Sequence, residues 1–541
     1  MITVTPQGQV YICKTPLEND YKNQLTFATK VAQENYFNST IIKSLDNYTY
    51  IKKDNVIKVG INIDEIIDCN YLFYRNTGFS NKIYYCFITK MEYINENCTA
   101  ITIETDCFQT WYFDIRYKKC FVEREHVNDD TIGTHTIPEG LETGDYVDQY
   151  VDISEMSDLN FLTKDGHSPY VVLAVSETGL DVVLPAGSRI YNNVYSGLIF
   201  LTFPNTHAVD QYINYIQHKI TEDVIYAAFM CPYEIATDGD DFEWLTFTDG
   251  STSFQYAFID YTTRATQMGL VEINKPNNLD TYIPRNKKLL TFPFRYFNIT
   301  NNSGSSATYK YEYFNSRDGR DVCQFNMLGA ISPGCSIRLI PYNYKYGKTE
   351  FNYTHEEVEE SIVAGKLPTC GWTNDAYTNW LTQNAINIPL DIASDIVKTG
   401  VGVATGNVAL AGGGLAGIGG TMAEIYQHSL IPTTAKGGVN QGDLNFADKL
   451  CFSVYKKCIK YEYARIIDNY FDMFGYKVND VKIPNITGRQ NWNYVKTIDC
   501  NFDGDIPQTD LNIIKAMFNG GVTFWHNPAN ILNYSLSNNI I

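Results

Sequence analysis

The chain runs to 541 residues with 61 acidic against 42 basic side chains, a formal net charge of −19. That excess argues against a surface that grips phosphate, and an acidic wall beside DNA suits passage better than binding. The length suffices for three or four domain-sized units, while 13 scattered cysteines without a Cys-x-x-Cys pair exclude a zinc ribbon or a disulfide framework and fit buried, reduced thiols.

In chain order, the start Met1-Ile2-Thr3-Val4-Thr5-Pro6-Gln7-Gly8 has neither the basic region nor the apolar core of a signal peptide, so synthesis in a cytoplasm is expected. Thr49 to Ile63 alternates around the turn Lys53-Asp54-Asn55, which predicts a hairpin. Ile83 to Tyr93 and Thr99 to Phe108 form a second pair of strand-like runs around Asn95-Glu96-Asn97. The middle continues with short strands such as Tyr170 to Ala174 and Leu198 to Phe203, broken at polar or Pro/Gly-rich stretches such as Ser332 to Cys335. An aromatic content of 14%, with 41 tyrosines, favours strands over helix bundles.

Between Asn374 and Asp443 the β texture stops. A predicted helix over Ala376 to Ala385 leads into a glycine-rich run, and the polar stretch Thr433 to Asp443 closes it. Beyond, Cys451 to Ile459 reads as a strand. Glu462 to Phe474 reads as a helix with Ile466, Ile467, Tyr470, Phe471 and Phe474 on one face, stopped by Gly475. Strands Tyr476 to Val481 and Trp492 to Cys500 follow. A helix near Thr509 carries Leu511, Ile514, Met517 and Phe518, and Val522 to His526 closes the chain's last strand. This β-α-β-β-α-β order predicts a split βαβ unit. The predicted fold class is mainly β with α+β: a β domain over 1–130, a β-rich region over 131–373, a long hydrophobic loop over 374–446 and an α+β domain over 447–541.

The glycine-rich run carries the strongest signal. Thr399 to Ala423 spans 25 residues without one charged side chain. Nine are glycines: Gly400, Gly402, Gly406, Gly412, Gly413, Gly414, Gly417, Gly419 and Gly420. Aliphatic side chains recur through it as Val401, Val403, Val408, Leu410, Leu415 and Ile418, with Met422 near its end. As a helix it would extend about 38 Å, enough for a hydrocarbon core of roughly 30 Å. Gly402 to Gly406 and Gly413 to Gly417 have the spacing that lets helices in lipid approach closely. Six aliphatic residues at roughly −0.5 kcal/mol each supply only about −3 kcal/mol of insertion drive, marginal for one copy. Asp391 and Asp395 before the run and Glu424 after it set polar boundaries. Their protonation lowers the cost of deeper insertion, so membrane leakage is expected to rise at acidic pH. The competing reading is an inert or lumen-filling loop, since glycine-rich stretches also serve as linkers.

Catalytic signatures are mostly absent: no His-Glu-x-x-His, nucleophile elbow or Walker loop occurs, and no pair of carboxylates is singled out for sugar hydrolysis. His355-Glu356-Glu357 is not a zinc-protease motif. Gly412-Gly413-Gly414-Leu415-Ala416-Gly417 matches a dinucleotide fingerprint only formally, inside a run rich in glycine. The acidic stretches Asp238 to Glu243 and Asp503 to Asp505 lack the ligand spacing of a calcium loop and read as solvated turns. No catalytic residue, metal or cofactor is expected.

Several colinear stretches carry a family resemblance. They are Asn19-Asp20-Tyr21-Lys22-Asn23, Gln109-Thr110-Trp111-Tyr112-Phe113-Asp114-Ile115, Arg124-Glu125-His126-Val127 with Asn128-Asp129-Asp130, and Glu139-Gly140-Leu141. Late in the chain come Phe474-Gly475-Tyr476-Lys477-Val478-Asn479, Tyr494-Val495-Lys496-Thr497 and Trp525-His526. In this order the chain resembles the distal tail-knob (tail-tube) proteins of small short-tailed Bacillus bacteriophages. The resemblance implies a non-enzymatic virion component at the tail tip: a homohexameric tube through which viral DNA leaves without specific binding, with partners in the upper tail tube or collar and a tip protein. It implies tube walls from the N- and C-terminal regions and a knob from the middle. It further implies a hydrophobic loop that plugs the lumen and then perforates the host cytoplasmic membrane. Six copies of a marginal segment would sum to about −18 kcal/mol if presented together. A purely structural tube with a passive stopper, and a receptor- or glycan-binding knob, are the alternatives.

Overall fold

The computed structural model describes residues 7–48, 55–77, 80–152, 170–185, 188–191, 194–217, 219, 224–231, 243–259, 266–301, 304–315, 321–329, 337–345, 361–364, 369–371, 438–440 and 452–541. The chain divides into two units, one of residues 1–145, 278–294 and 459–541, the other of residues 146–277 and 295–458.

The first unit holds a six-stranded antiparallel sheet in the order Ile41–Tyr48, Gly8–Cys13, Tyr71–Asn76, Ile83–Asn95, Cys98–Thr105, Val56–Val59. Both faces are covered, so its central strands alternate between two apolar sets. Val10, Ile12, Leu72, Cys86, Ile101 and Ile103 fill one cluster. Tyr71, Phe73, Tyr85 and Phe87 meet Phe37 of the helix Lys30–Ser39 on the other. Phe37 stacks on Tyr71 at 5.3 Å and sits 4.4 Å from Tyr85. The long hairpin closes at Asn95-Glu96-Asn97, where the Asn97 amide donates to Asn95 Oδ1 at 2.9 Å. Of the hairpin expected over Thr49 to Ile63, residues 49–54 lie outside the described residues. Its described strand, Val56–Val59, pairs with Cys98–Thr105, at the opposite edge from Ile41–Tyr48. Burial favours this pairing: Ile57 and Val59 share a cluster with Ile101 and Ile103.

A five-stranded sheet follows the order Asn23–Leu25, Val522–Trp525, Trp492–Ile498, Cys120–Glu125, Tyr476–Lys482, with only its first pair parallel. The C-terminal β-α-β-β-α-β order is present, but it does not close on itself as a split βαβ unit. The strand Ser453–Ile459 pairs with Arg295–Thr300 in another sheet. Cys120–Glu125 inserts between Tyr476–Lys482 and Trp492–Ile498. Helix Gln508–Gly520 buries Leu511, Ile514, Met517 and Phe518, each worth about 1.5–3 kcal/mol when fully removed from water. Helix Tyr461–Phe474 buries Ala464, Ile467, Asp468 and Phe471. Ile466, expected on that face, is 61% exposed, because the helix is turned to aim Asp468 inward.

In the second unit a seven-stranded sheet runs Leu245–Asp249, Thr252–Ile259, Ile199–Phe203, Tyr170–Val175, Ile225–Cys231, Thr369–Gly371, Gly438–Asn440. Helix Thr206–Gln217 lays Val209, Tyr212 and Ile216 against Leu173, Val175, Leu201 and Phe203. Two four-stranded sheets share a further core around Phe297, Tyr309, Phe314 and Phe325. The architecture is β-rich α+β.

Candidate functional site

The sequence-predicted membrane-active residues, Val401 to Met422 with the loop glycines and flanking acids Asp391, Asp395 and Glu424, lie outside the described residues. So do His355-Glu356-Glu357 and Gly412 to Gly417. The structure does define where that stretch is rooted. The chain leaves the seven-stranded sheet at Gly371 and returns at Gly438, and those two residues are direct antiparallel partners, followed by Cys370↔Val439 and Thr369↔Asn440. The 66 residues from 372 to 437 are therefore an excursion whose two ends are held side by side. No helix among the described residues is long and apolar enough to cross a membrane.

Several of the short motifs, those around Arg124, Glu139, Gly475 and Tyr494, meet in the first unit as a buried polar junction. Glu139, almost fully buried, takes both the Arg124 guanidinium and the Lys288 ammonium, and its Oε1 accepts the Lys477 amide at 3.0 Å. Arg124 Nη1 also donates to the Gly475 carbonyl at 2.7 Å. Burial pulls the Lys288 pKa down, against the opposing pull of Glu139. Gly475 is obligatory there: its φ is +63°, and a Cβ would lie 2.1 Å from the Glu125 carbonyl oxygen.

A second group is built on Asp468, which accepts from Tyr282 Oη at 2.6 Å, the Arg285 amide at 2.9 Å, and the Asn286 amide and Nδ2 at 3.0 and 2.8 Å. Asn286 Nδ2 and Arg285 Nη2 reach on to Asp472 at 2.7 and 2.6 Å. Burial raises the Asp472 carboxyl. Tyr476 Oη donates to Asp130 at 2.6 Å.

Two histidines complete the junction. His126 Nδ1 accepts the Tyr494 amide at 2.7 Å and its Nε2 donates to the Asp472 carbonyl at 2.9 Å. Both bonds fix the neutral tautomer, and burial pushes its pKa down to about 3. His526 bridges Thr26 Oγ1 at 2.7 Å and Asn493 Oδ1 at 3.0 Å, and burial pushes it to about 4. Asn485 joins Glu125, His126 and Asn128 at 2.8, 2.8 and 2.6 Å.

Chemically the junction is a fastener. It ties residues 124–139, 282–288 and 468–494, far apart in sequence, and its carboxylates are engaged by donors. Sequence reading missed the 278–294 segment altogether. Tyr282-Ile283-Pro284-Arg285-Asn286 looks like an exposed turn, and its partner Asp468 lies 182 residues from Asn286. Of the two acidic stretches, Asp503 is paired with Lys118 at 2.6 Å, and residues 238–242 of the other lie outside the described residues. Among the described residues no cluster of three or more metal-ligating side chains occurs.

The chain as a whole is similar to known proteins. A family described as Bacillus phage phi29, tail knob protein gp9, C-terminal domain, matches residues 258–539. Residues 9–118 match the caudoviral major tail protein N-terminus. The tail knob protein gp9 of Bacillus phage phi29 is 24% identical over 98% of both chains, and that of Bacillus phage B103 is 26% identical over 97% of both. The tail knob protein gp12 of bacteriophage C1 superposes with a TM-score of 0.65 at 14% identity, covering 99% of this chain and 100% of its own. The chain is a structural component of a phage tail, and it belongs to the tail knob protein family of phage phi29 and its relatives.

Proposed function

We propose that the chain assembles as a homohexameric ring that forms the distal tail conduit for genome ejection. In this reading the first unit builds the wall and the second the wider knob, with the upper tail and a tip protein as neighbours. The 374–446 region plugs the lumen and then enters the host cytoplasmic membrane. One observation carries the reading: a 25-residue charge-free run sits within an excursion whose ends are paired at Gly371 and Gly438. That pairing constrains the insertion. While the stem stays closed, the excursion must enter and leave the bilayer from the same side, as a dip or an even number of crossings. A single helix of about 38 Å across the core is disfavoured. Six such hairpins presented together supply the about −18 kcal/mol that one lacks. An acidic chain also lets DNA slide, where a basic lumen would hold it.

The test is dye release from liposomes by the assembled protein and by the same protein lacking residues 390–430, at neutral and acidic pH. The full protein leaks and the truncated one does not, with more leakage in acid as Asp391, Asp395 and Glu424 lose charge. Equal leakage from both refutes the membrane role. Normal infectivity after replacing the six aliphatic residues by serine would leave a passive stopper.

A further inference from the structure

Two cysteines of the first unit share a buried cluster and have no part in the tail function. Strand Cys120–Glu125 pairs with Trp492–Ile498 through Phe121↔Ile498. Cys120 therefore stands one place before that pair and Cys500 two places after it. Both side chains enter one buried cluster with Ile514, Met517 and Phe518 of helix Gln508–Gly520, and they are 4% and 7% exposed. The Cys500 amide is held by Asn519 Oδ1 at 3.1 Å. The Asn501 backbone and Cys500 both act on the acidity of the Cys120 thiol, and Cys120 acts on that of Cys500. Both cysteines are free, so two unbonded thiols share one buried cluster.

We propose that Cys120 and Cys500 are a latent crosslink, a dithiol that closes to a disulfide once the particle passes from the reducing interior of the host into an oxidising medium. A tail protein makes that passage by its nature, and thiols are held reduced only on the inner side. The chemistry is thiol–disulfide exchange with a small-molecule disulfide as oxidant. One thiolate attacks the oxidant's sulfur and expels one thiol. The second thiolate attacks the resulting mixed disulfide and expels the other. The pair gives up two electrons and two protons, and both protons end on the released thiols. The bond would join the N-terminal and C-terminal segments of the first unit, which are otherwise held by non-covalent contacts. The two residues lie within two places of the paired positions Phe121 and Ile498 of neighbouring strands and enter one cluster, the placement a disulfide can bridge.

Burial pushes the Cys500 thiol up to about 12 and raises Cys120 in the same direction. The attacking thiolate is scarce at neutral pH, so closure is slow and speeds up about tenfold per pH unit.

The test uses the full chain. One sample stays folded in oxidised glutathione at pH 8 and at pH 9. A second is unfolded and refolded in a mixture of oxidised and reduced glutathione, which removes the barrier of burial. Remaining thiols are alkylated and peptides mapped by mass. The peptide bearing Cys120 is expected joined to that bearing Cys500, two hydrogens lighter than their sum, reversible by dithiothreitol, and about tenfold faster at pH 9 than at pH 8. The linked protein should unfold at higher denaturant than the reduced one, a difference absent in Cys500→Ser. Full alkylation of both residues after refolding in oxidant, or their capture by other cysteines, overturns the proposal.

Discussion

The two buried histidines make a pH dependence that can be worked out before it is measured. His126 and His526 are held neutral, near 3 and 4, against an ordinary value of 6.5. Between those values the unfolded chain binds protons that the folded chain does not, so stability falls as pH falls below about 6.5. At pH 5 each histidine then weakens the fold by about 2 kcal/mol, 1.5 pH units at about 1.36 kcal/mol per unit, and the two together by about 4 kcal/mol. Asp106 acts in the opposite sense. Its fully buried carboxyl, capping Gln109 and bonded to Tyr71, is raised by burial to about 7 from 3.8. The folded state holds that proton where the unfolded state has lost it, so stability falls as pH rises from about 4 to 7. From pH 8 to pH 5 it returns about 3 kcal/mol. The net loss is about 1 kcal/mol. Urea unfolding followed by tryptophan fluorescence at pH 8 and pH 5 should show this small loss. The double variant His126→Asn, His526→Asn keeps an acceptor near each Nδ1 and should reverse its sign, becoming more stable at pH 5. Asp106→Asn should deepen the acid loss to about 4 kcal/mol. If the double histidine variant keeps the wild-type sign, the histidines are not buried neutral and the reasoning fails.

Other substitutions probe the junction. Glu139→Gln leaves Arg124 and Lys288 buried beside a neutral group and should destabilise the first unit by about 3–5 kcal/mol in urea melts. Gly475→Ala drives a Cβ into the Glu125 carbonyl at a left-handed φ and should lower stability by about 1–3 kcal/mol or more, while Gly140→Ala, with open space around it, should be milder.

Local structure was legible where one element's own pattern decides it. The hairpin around Asn95-Glu96-Asn97 and the stripe Leu511, Ile514, Met517, Phe518 read directly because turn chemistry and helical period are short-range signals. Sheet membership was not legible. Cys120–Glu125 lies between two strands more than 350 residues later, and nothing in its sequence names them. The inward Asp468 was missed because periodicity ranks an isoleucine as buried before an aspartate, and only the donors of Tyr282 and Asn286 reverse that order. The motifs that carried the family resemblance were individually unremarkable in type. Their common meaning is three-dimensional: Arg124, His126, Glu139, Gly475 and Tyr494 converge on the same fastening.

The stem of the hydrophobic excursion gives the sharpest remaining test of the insertion topology. Gly371 and Gly438 are antiparallel partners, and such pairs hold their Cα atoms about 4.5–5.5 Å apart, within the range a disulfide spans. Gly371→Cys with Gly438→Cys therefore crosslinks the root without moving it. If the excursion enters the bilayer as a closed hairpin, oxidising that crosslink leaves dye release unchanged, since neither end needs to travel. If insertion instead requires the strands to part and one end to cross, oxidation should abolish release and dithiothreitol should restore it. The hairpin topology predicts the first outcome, because separating the strands would break the stem's backbone hydrogen bonds with no compensating pairing in lipid, where each unsatisfied group costs several kcal/mol.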